Sequence, residues 1–139
     1  MKAVLDTVIF VRALINPKSR WGRLLFELND KYEIVLSPAI VREVLAVIHR
    51  STLRRRLPRL ADPVALDQVL ALLEEAEIVE PTDVPRVCRD AADDKFFACA
   101  AAGQADFIVS EDQDILAVGE YRGVKTQTAE EFVAVIENP

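Results

Sequence analysis

The chain has 139 residues, of which 51% are hydrophobic and 29% are charged, and its formal net charge is −6 at pH 7. This length and composition predict one folded domain spanning residues 1–139 and exclude a largely disordered chain. No apolar run approaches the roughly 20 residues of a membrane helix, and the charged N-terminal stretch does not resemble a signal peptide. A cytoplasmic protein with no membrane partner is therefore expected.

Strand-like and helix-like segments alternate along the sequence. The predicted strands are residues 2–5, 32–36, 77–79, 106–109 and 124–126. The predicted helices are residues 7–15, 19–29, 38–49, 63–76 and 91–103, a short turn at 115–116 and a last helix beginning at 129. Residues 51–60 are interpreted as a short basic helix or a loop. The alternation predicts an α/β fold, a three-layer α/β/α sandwich with a mostly parallel sheet of about five strands.

Three of the predicted helices begin with capping signals. Ser37 precedes Pro38, which places serine at the N-cap and proline at the first helical position. Asp90 precedes the alanine-rich segment and is the expected cap there. Thr128 and Glu131 have the spacing of a capping box, in which each side chain satisfies a backbone N–H of the other residue.

Two carboxylates follow predicted strands at the point where each strand ends. Asp6 comes directly after the first strand, and Asp112 follows the strand ending at Val109 after only two residues. Binding sites in open parallel sheets form outside the carboxyl ends of the strands. Both acids are therefore expected to project from the same rim of the sheet.

Two further acids lie on helices that should pack nearby. On a helical wheel, Glu43 falls at the border of the apolar arc of its helix, where it can point along the rim. Asp94 lies in the first turn of a helix that is apolar nearly all round, and it shares a face with the small residues Ala98 and Ala101. A carboxylate at the head of a buried helix needs a partner or a metal, because burying an unpaired charge is costly.

Each acid also has an ordinary structural interpretation, as a helix cap, a solvated side chain, a complement to the helix dipole or a turn residue. Only their joint placement predicts a site. Carboxylates that converge repel one another and demand a cation, and all-oxygen ligands favour Mg²⁺ or Mn²⁺ over zinc. Such a cation can activate a water molecule and neutralise the leaving oxygen of a phosphodiester.

The four acids lie in short motifs that match a known family. The motifs are Val4-Leu5-Asp6-Thr7, Val41-Arg42-Glu43-Val44, Asp93-Asp94-Lys95-Phe96-Phe97 and Val109-Ser110-Glu111-Asp112-Gln113-Asp114. Over its whole length the chain resembles PIN-domain ribonucleases, specifically the toxin component of bacterial and archaeal toxin–antitoxin pairs. The resemblance implies an Mg²⁺-dependent endoribonuclease that cleaves RNA, forms a homodimer and is inhibited by a cognate antitoxin.

The resemblance also assigns roles to individual residues. It implies that Asp6, Glu43, Asp94 and Asp112 are the catalytic, metal-binding set. Asp114 is a candidate fifth metal ligand.

The polar surroundings of these acids include one departure from the family. Thr7 and Ser110 are candidate supporting residues, but Val8 stands where the family usually has asparagine. The loss of that amide removes a hydrogen-bonding group beside the site. Glu111 adds a negative charge next to Asp112. Its side chain is interpreted either as a ligand for a second metal or as facing solvent, and the second interpretation is favoured.

A basic segment follows the third predicted helix. Its residues Arg50, Arg54, Arg55 and Arg56 are candidates for contacts with RNA phosphates or with an acidic antitoxin segment. A solvated surface is the alternative interpretation. Nucleic-acid binders are usually basic, and the acidic net charge of this chain counts against RNA binding. The local concentration of arginine in this segment partly offsets that argument.

The two cysteines give no sign of a metal or redox centre. Cys88 and Cys99 lack C-x-x-C spacing, and the sequence contains a single histidine, His49. A zinc site is therefore not expected, and two reduced thiols are predicted.

Two other functions remain open from the sequence. A phosphatase or receiver domain also places acids at strand ends, but such phosphatases need Asp-x-Asp where this chain has Asp6-Thr7-Val8, and Lys125 matches the receiver lysine only loosely. A degenerate PIN-like module would bind RNA or a protein without cleaving, and Val8 is the feature that favours it.

Overall fold

The sheet has six strands within the described residues, 1–50 and 63–139, of the computed structural model. The strands are β1 (Lys2–Leu5), β2 (Glu33–Leu36), β3 (Glu77–Ile78), β4 (Phe107–Val109), β5 (Glu120–Tyr121) and β6 (Val124–Gln127). Their order across the sheet is β3-β2-β1-β4-β6-β5. All neighbouring pairs are parallel except β5 and β6. The predicted mostly parallel sheet is confirmed.

Seven α-helices accompany the sheet in these two ranges. They are α1 (Thr7–Ile15), α2 (Arg20–Phe26), α3 (Pro38–Ile48), α4 (Pro63–Glu75), α5 (Asp94–Gly103), α6 (Gln113–Leu116) and α7 (Ala129–Glu137). Helix α5 packs against β1, β2 and β4, whereas α1 packs with α2, α3 and α4. Residues Ala3, Val4 and Leu5 of β1 are all fully buried, although successive side chains of a strand point to opposite faces. Both faces of the sheet are therefore covered, as the predicted three-layer arrangement requires.

The capping signals act where the sequence places them, with one difference. The Ser37 side chain accepts from the backbone N–H of Ile40, and Thr128 and Glu131 form the complete capping box. Asp90, however, caps a short 3₁₀ turn, Ala91–Asp93, rather than the α-helix itself. Helix α5 begins only at Asp94, so the predicted helix 91–103 starts three residues early.

The strand β5 was not predicted, and it forms a hairpin with β6. Tyr121 pairs with Val124 across a two-residue turn. The turn residues Arg122 and Gly123 both have positive φ, 49° and 84°. Positive φ at both central positions characterises type I′ turns, whose twist suits a tight hairpin. The second predicted helix also differs, because α2 ends at Phe26 and a separate 3₁₀ turn spans Asn29–Lys31.

The apolar core is built around aromatic side chains. Phe10, Phe96, Phe97 and Phe132 are among the largest fully buried residues. The ring of Tyr32 meets that of Phe132 edge to face, with centroids 5.1 Å apart. This contact joins the residue that precedes β2 to α7 and helps to fix the sheet whose rim carries the acids.

Some sequence predictions concern residues outside the described ranges. The predicted short helix or loop at residues 51–60, including Arg54, Arg55 and Arg56, lies there. Within residues 1–50 and 63–139, none of the helices combines the length and the apolar character needed to cross a bilayer.

Candidate metal centre

The ends of β1 and β4 meet at one rim of the sheet. Leu5 is in register with Val109, and the backbone N–H of Asp6 donates to the Val109 carbonyl at 3.0 Å. Ser110 follows β4 directly, and its hydroxyl donates to Asp6 Oδ2 at 2.7 Å. The parallel pairing of two strands about a hundred residues apart thus places Asp6 beside the segment that contains Asp112.

Asp6 is a buried acid with two hydrogen bonds. It is 5% exposed, and besides Ser110 it accepts from the backbone N–H of Val8, which makes it the N-cap of α1. Burial raises the pKa of Asp6 above its ordinary value, the two hydrogen bonds oppose that rise, and the negative charges of Glu43 and Asp112 add to it. Both acids lie near Asp6, because Glu43 accepts from the next residue, Thr7, and the Asp112 N–H donates to the Ser110 hydroxyl that itself donates to Asp6.

Glu43 reaches the rim from α3. Its Oε2 accepts from the Thr7 hydroxyl at 2.8 Å and lies 3.2 Å from Lys95 Nζ. Thr7 is the first residue of α1, and Lys95 is in the first turn of α5. The contact therefore joins three helices at the carboxyl ends of the strands, and the predicted supporting residue Thr7 is in place to orient Glu43.

Three carboxylates come together beside this pair of acids. One oxygen from each of Asp93, Asp112 and Asp114 lies within 4.8 Å of the other two, the only such group among the described residues. Asp112 also caps α6 by accepting from the backbone N–H of Asp114 at 2.8 Å, and its own N–H donates to Ser110 Oγ at 2.9 Å. The turn after β4 is thereby fixed with two acids facing Asp93.

Asp93 was not among the residues singled out from the sequence. Partial burial and the charges of Asp112, Asp90 and Asp6 raise its pKa to about 6, with Lys95 opposing the rise. The 3₁₀ turn explains its position, because ending the turn at Asp93 makes it, rather than Asp94, the acid that joins the group. A second aspartate immediately before Asp94 was the only signal in the sequence.

Asp94 has different partners from the other acids. It is 1% exposed, and its Oδ1 accepts from the backbone N–H groups of Val87 and Cys88 at 3.0 and 2.7 Å. Its Oδ2 is buried without a hydrogen bond and lies 3.5 Å from Nε of the exposed Arg86. Asp94 therefore fixes residues 86–88 against the head of α5 and stands outside the group of three, so its role as a metal ligand stays a prediction.

Glu111 corresponds to neither interpretation drawn from the sequence. Its Oε1 accepts from the indole N–H of Trp21 and from the backbone N–H of Ala129, both at 3.1 Å. The side chain is thus directed away from solvent and toward α2 and α7. Val8, where the family usually has asparagine, is 39% exposed and leaves an apolar surface beside Asp6.

The donor set fits a hard divalent cation. The three grouped acids offer only oxygen, and Asp6 and Glu43 add further negative charge nearby. Mg²⁺ and Mn²⁺ prefer such ligands. Cys88 is not a competing ligand, because burial and the surrounding aspartates raise the pKa of its thiol to about 11, and burial raises that of Cys99 to about 12. Within the described residues both thiols are free and buried, as predicted.

The fold and the rim together define an α/β domain with an acidic, oxygen-only edge suited to a divalent metal. A family model described as PIN domain matches residues 2–114. The chain therefore belongs to the PIN domain family, which replaces the phosphatase and receiver alternatives.

Similar proteins support the same fold. The chain is 28% identical to the uncharacterized protein MJ1680 of Methanocaldococcus jannaschii, over 99% of this chain and 92% of that one. The structure of PAE2754 from Pyrobaculum aerophilum superposes with a TM-score of 0.61 and 14% identity, covering all of this chain and 91% of that one. The structure of VapBC2 from Rickettsia felis, bound to a DNA fragment from its promoter, superposes with a TM-score of 0.58 and 15% identity. The match covers 92% of this chain and 98% of that one.

Proposed function

We propose that this chain is a metal-dependent endoribonuclease that hydrolyses RNA phosphodiesters and acts as the toxin of a toxin–antitoxin pair. The observation that carries the proposal is the group formed by Asp93, Asp112 and Asp114, next to Asp6 and Glu43. Membership of the PIN domain family supports the nuclease class. The fold shared with VapBC2 supports the role as a toxin.

In the proposed centre, Asp93, Asp112 and Asp114 bind one Mg²⁺ or Mn²⁺ ion, and Asp6 and Glu43 lie beside it. When bound, the cation supplies a water of lowered pKa and neutralises charge on the phosphate. The resemblance assigned the direct contact to Asp94. Its neighbour Asp93 is favoured here, because the Oδ1 of Asp94 already accepts two backbone N–H groups.

The remaining residues of the rim orient the acids and supply positive charge. Ser110 ties Asp6 to the turn after β4, and Thr7 orients Glu43. Lys95 and Arg89 form ion pairs with Glu43 and Asp114. Arg89 is largely exposed, so its side chain can turn from Asp114 to a phosphate oxygen of a bound RNA with little loss of stability.

The test is cleavage of single-stranded RNA by the purified protein with Mg²⁺ or Mn²⁺, compared with EDTA. We expect Asp112→Asn to lower the rate by more than about 100-fold, since losing a ligand should exceed the 10–100-fold effect typical of residues that only orient ligands. Asp30→Asn is the matched control, because Asp30 is an exposed acid in the turn before β2, at the opposite end of the sheet.

Metal binding by variants of the two adjacent aspartates decides whether Asp93 or Asp94 is the direct ligand. Asp93→Asn should abolish Mn²⁺ binding measured by calorimetry, whereas Asp94→Asn should weaken it less. The reverse result would restore Asp94 as the direct ligand. Equal RNA cleavage by wild type and Asp112→Asn would overturn the site as a whole.

A second candidate function is binding without cleavage. The exposed Val8 favours it, because an apolar side chain replaces an amide beside Asp6. RNA binding by the wild type without cleavage in either metal would support this alternative. In that case Val8→Asn should restore measurable hydrolysis if the missing amide is the cause.

The proposed partners follow from the toxin role. We expect a homodimer, a cognate antitoxin and an RNA substrate, with residues 1–139 acting as one domain in the cytoplasm. Arg50, Arg54, Arg55 and Arg56 remain the candidate contacts of the basic segment. Light scattering after size-exclusion chromatography measures the oligomeric state, and a monomeric mass would contradict the dimer.

A further inference from the structure

Two guanidinium groups lie over the ring of Trp21, the single tryptophan of the sequence. The Cζ atoms of Arg12 and Arg20 are 4.8 and 5.4 Å from the ring centroid. Arginine stacks well on aromatic rings, because its planar cation is attracted to the electron-rich face. We call these three residues the Arg–Trp shelf.

Two connections lead from the shelf toward the proposed metal centre. The Trp21 indole N–H donates to Glu111, which stands between Ser110 and Asp112 in the turn after β4. Arg12 lies one helical turn after Val8, and residues four apart share a helix face. The exposed surface of α1 therefore runs from the neighbourhood of Asp6 directly to the shelf.

The shelf is fixed before any ligand arrives. Glu111 accepts from Trp21 and also from the backbone N–H of Ala129 at the start of α7, so the acid holding the indole is itself anchored. Arg12 and Arg20 are then restrained by the ring. Binding a ligand to these cations therefore costs less side-chain entropy than binding it to freely moving arginines would.

Arg12 also supplies positive charge that no ion pair neutralises within the described residues. Lys95, Arg86 and Arg89 each pair with a carboxylate at the rim. Within residues 1–50 and 63–139, by contrast, the Arg12 guanidinium lies over the ring of Trp21, and no carboxylate forms a salt bridge with it. The partner of Arg20, Glu130, is exposed and 3.3 Å away, a kind of pair that contributes little and is readily exchanged.

We propose that the Arg–Trp shelf binds phosphate groups of single-stranded RNA next to the linkage that is cleaved, with Arg12 as the main contact. The proposal rests on the proposed ribonuclease function and names where its substrate lies. A guanidinium stacked on a ring keeps its N–H donors free at the edge, where a phosphate accepts them. Exposed Val8, on the same face of α1 as Arg12, adds apolar surface on which an unpaired base can pack.

Trp21 makes the proposal directly measurable. Because it is the single tryptophan, its fluorescence reports on the shelf alone. Single-stranded RNA is titrated into the protein with Ca²⁺ in place of Mg²⁺, and a denaturing gel verifies that the RNA stays intact. We expect the emission of Trp21 to change with RNA binding and to saturate.

Arg12 variants test the assigned contact. Arg12→Gln should weaken RNA binding about five- to tenfold at low salt and reduce the slope of log K against log salt by about 0.7, the value of one phosphate contact on a single strand. Arg12→Lys should keep the slope. Lys31→Gln is the control, because it removes one exposed cation at the opposite end of the sheet and should change neither quantity.

The outcomes separate this proposal from the proposed function. An unchanged affinity and salt slope in Arg12→Gln overturns the shelf, as does saturating RNA binding with no change in Trp21 emission, or no RNA binding at all. Cleavage by Arg12→Gln with wild-type KM and kcat overturns the shelf and leaves the nuclease standing. RNA binding that depends on Arg12, without cleavage in Mg²⁺ or Mn²⁺, supports the shelf and removes the nuclease.

Discussion

Two adjacent aspartates at the head of α5 experience opposite environments. Asp93 lies among other acids, and its pKa is raised to about 6. The Oδ1 of Asp94 accepts two backbone N–H groups, one of them only 2.7 Å away. In the metal-free protein, ionised Asp93 therefore opposes folding at neutral pH, while Asp94 stabilises the fold.

Substituting each aspartate by asparagine should consequently shift stability in opposite directions. The folded state holds the Asp93 proton more tightly than the unfolded state, so stability from this group rises as pH falls from about 6 toward 4. Asp93→Asn removes the repulsion, and we expect a higher melting temperature at pH 7 with a weaker pH dependence below 6. Asp94→Asn should lose roughly 1–3 kcal/mol, because it removes a charged acceptor and buries an amide where Oδ2 lies.

Thermal melts in EDTA between pH 4 and 8 measure both effects. Asp30→Asn, an exposed acid away from the group, should follow the wild-type curve. A fall in stability for Asp93→Asn at pH 7 would contradict the repulsion inferred from its surroundings.

At the scale of elements, the packing of α2 against the segment that connects it to α1 depends on Gly22. A Cβ atom on this residue would overlap the backbone carbonyl of Pro17, which cannot turn aside as a side chain can. Gly→Ala in an exposed helix normally stabilises by about 1 kcal/mol. Here we expect Gly22→Ala to destabilise by about 1–3 kcal/mol, as overpacking does.

Urea denaturation gives this free energy of unfolding directly. Glu27→Ala, at the exposed end of the same helix, is the comparison and should change stability little. A stabilised Gly22→Ala variant would show that the segment containing Pro17 can move aside without cost.

At the scale of the whole molecule, a bound cation should couple the N-terminal and C-terminal parts of the rim. A ligand that binds only the folded state stabilises it by about 2.7 kcal/mol at a concentration about one hundred times Kd. We expect Mn²⁺ to raise the melting temperature at pH 7.5. The increase should fall to about half at pH 5, because protons then compete for Asp93, whose pKa is raised to about 6, and the apparent Kd rises about tenfold.

The control for this prediction is Asp112→Asn, which should show no increase with Mn²⁺ at either pH. An equal increase in this variant would place the cation elsewhere. Differential scanning fluorimetry with EDTA as the reference is sufficient for the comparison.

The sheet and the two strand ends could be predicted from the sequence because their signals are local. A buried strand followed at once by Asp6, and another followed by Ser110, fix which residues emerge at the rim. Ser37 and Thr128 mark helix starts by side-chain chemistry alone. The position of Glu43 came from the same kind of reasoning, since the apolar arc of α3 leaves only its border free.

The rest depended on contacts that local patterns do not encode. Whether Asp93 or Asp94 faces the other acids is decided by a one-turn 3₁₀ segment, which shifts the start of α5 by three residues. Strand β5 has two residues and too little alternation to be recognised. The hydrogen bond from Trp21 to Glu111 joins residues 90 apart in the chain, and no local sequence pattern near either residue predicts it.

The parallel pairing of β1 with β4 has a consequence for synthesis. Asp6 and Glu43 leave the ribosome well before Ser110 and the acids after β4, and long-range pairing of this kind forms late in folding. A nascent or prematurely terminated chain therefore holds only half of the rim. If the complete rim is a nuclease, it stays inactive on the ribosome, and the RNA being read is spared, until the acids after β4 have emerged.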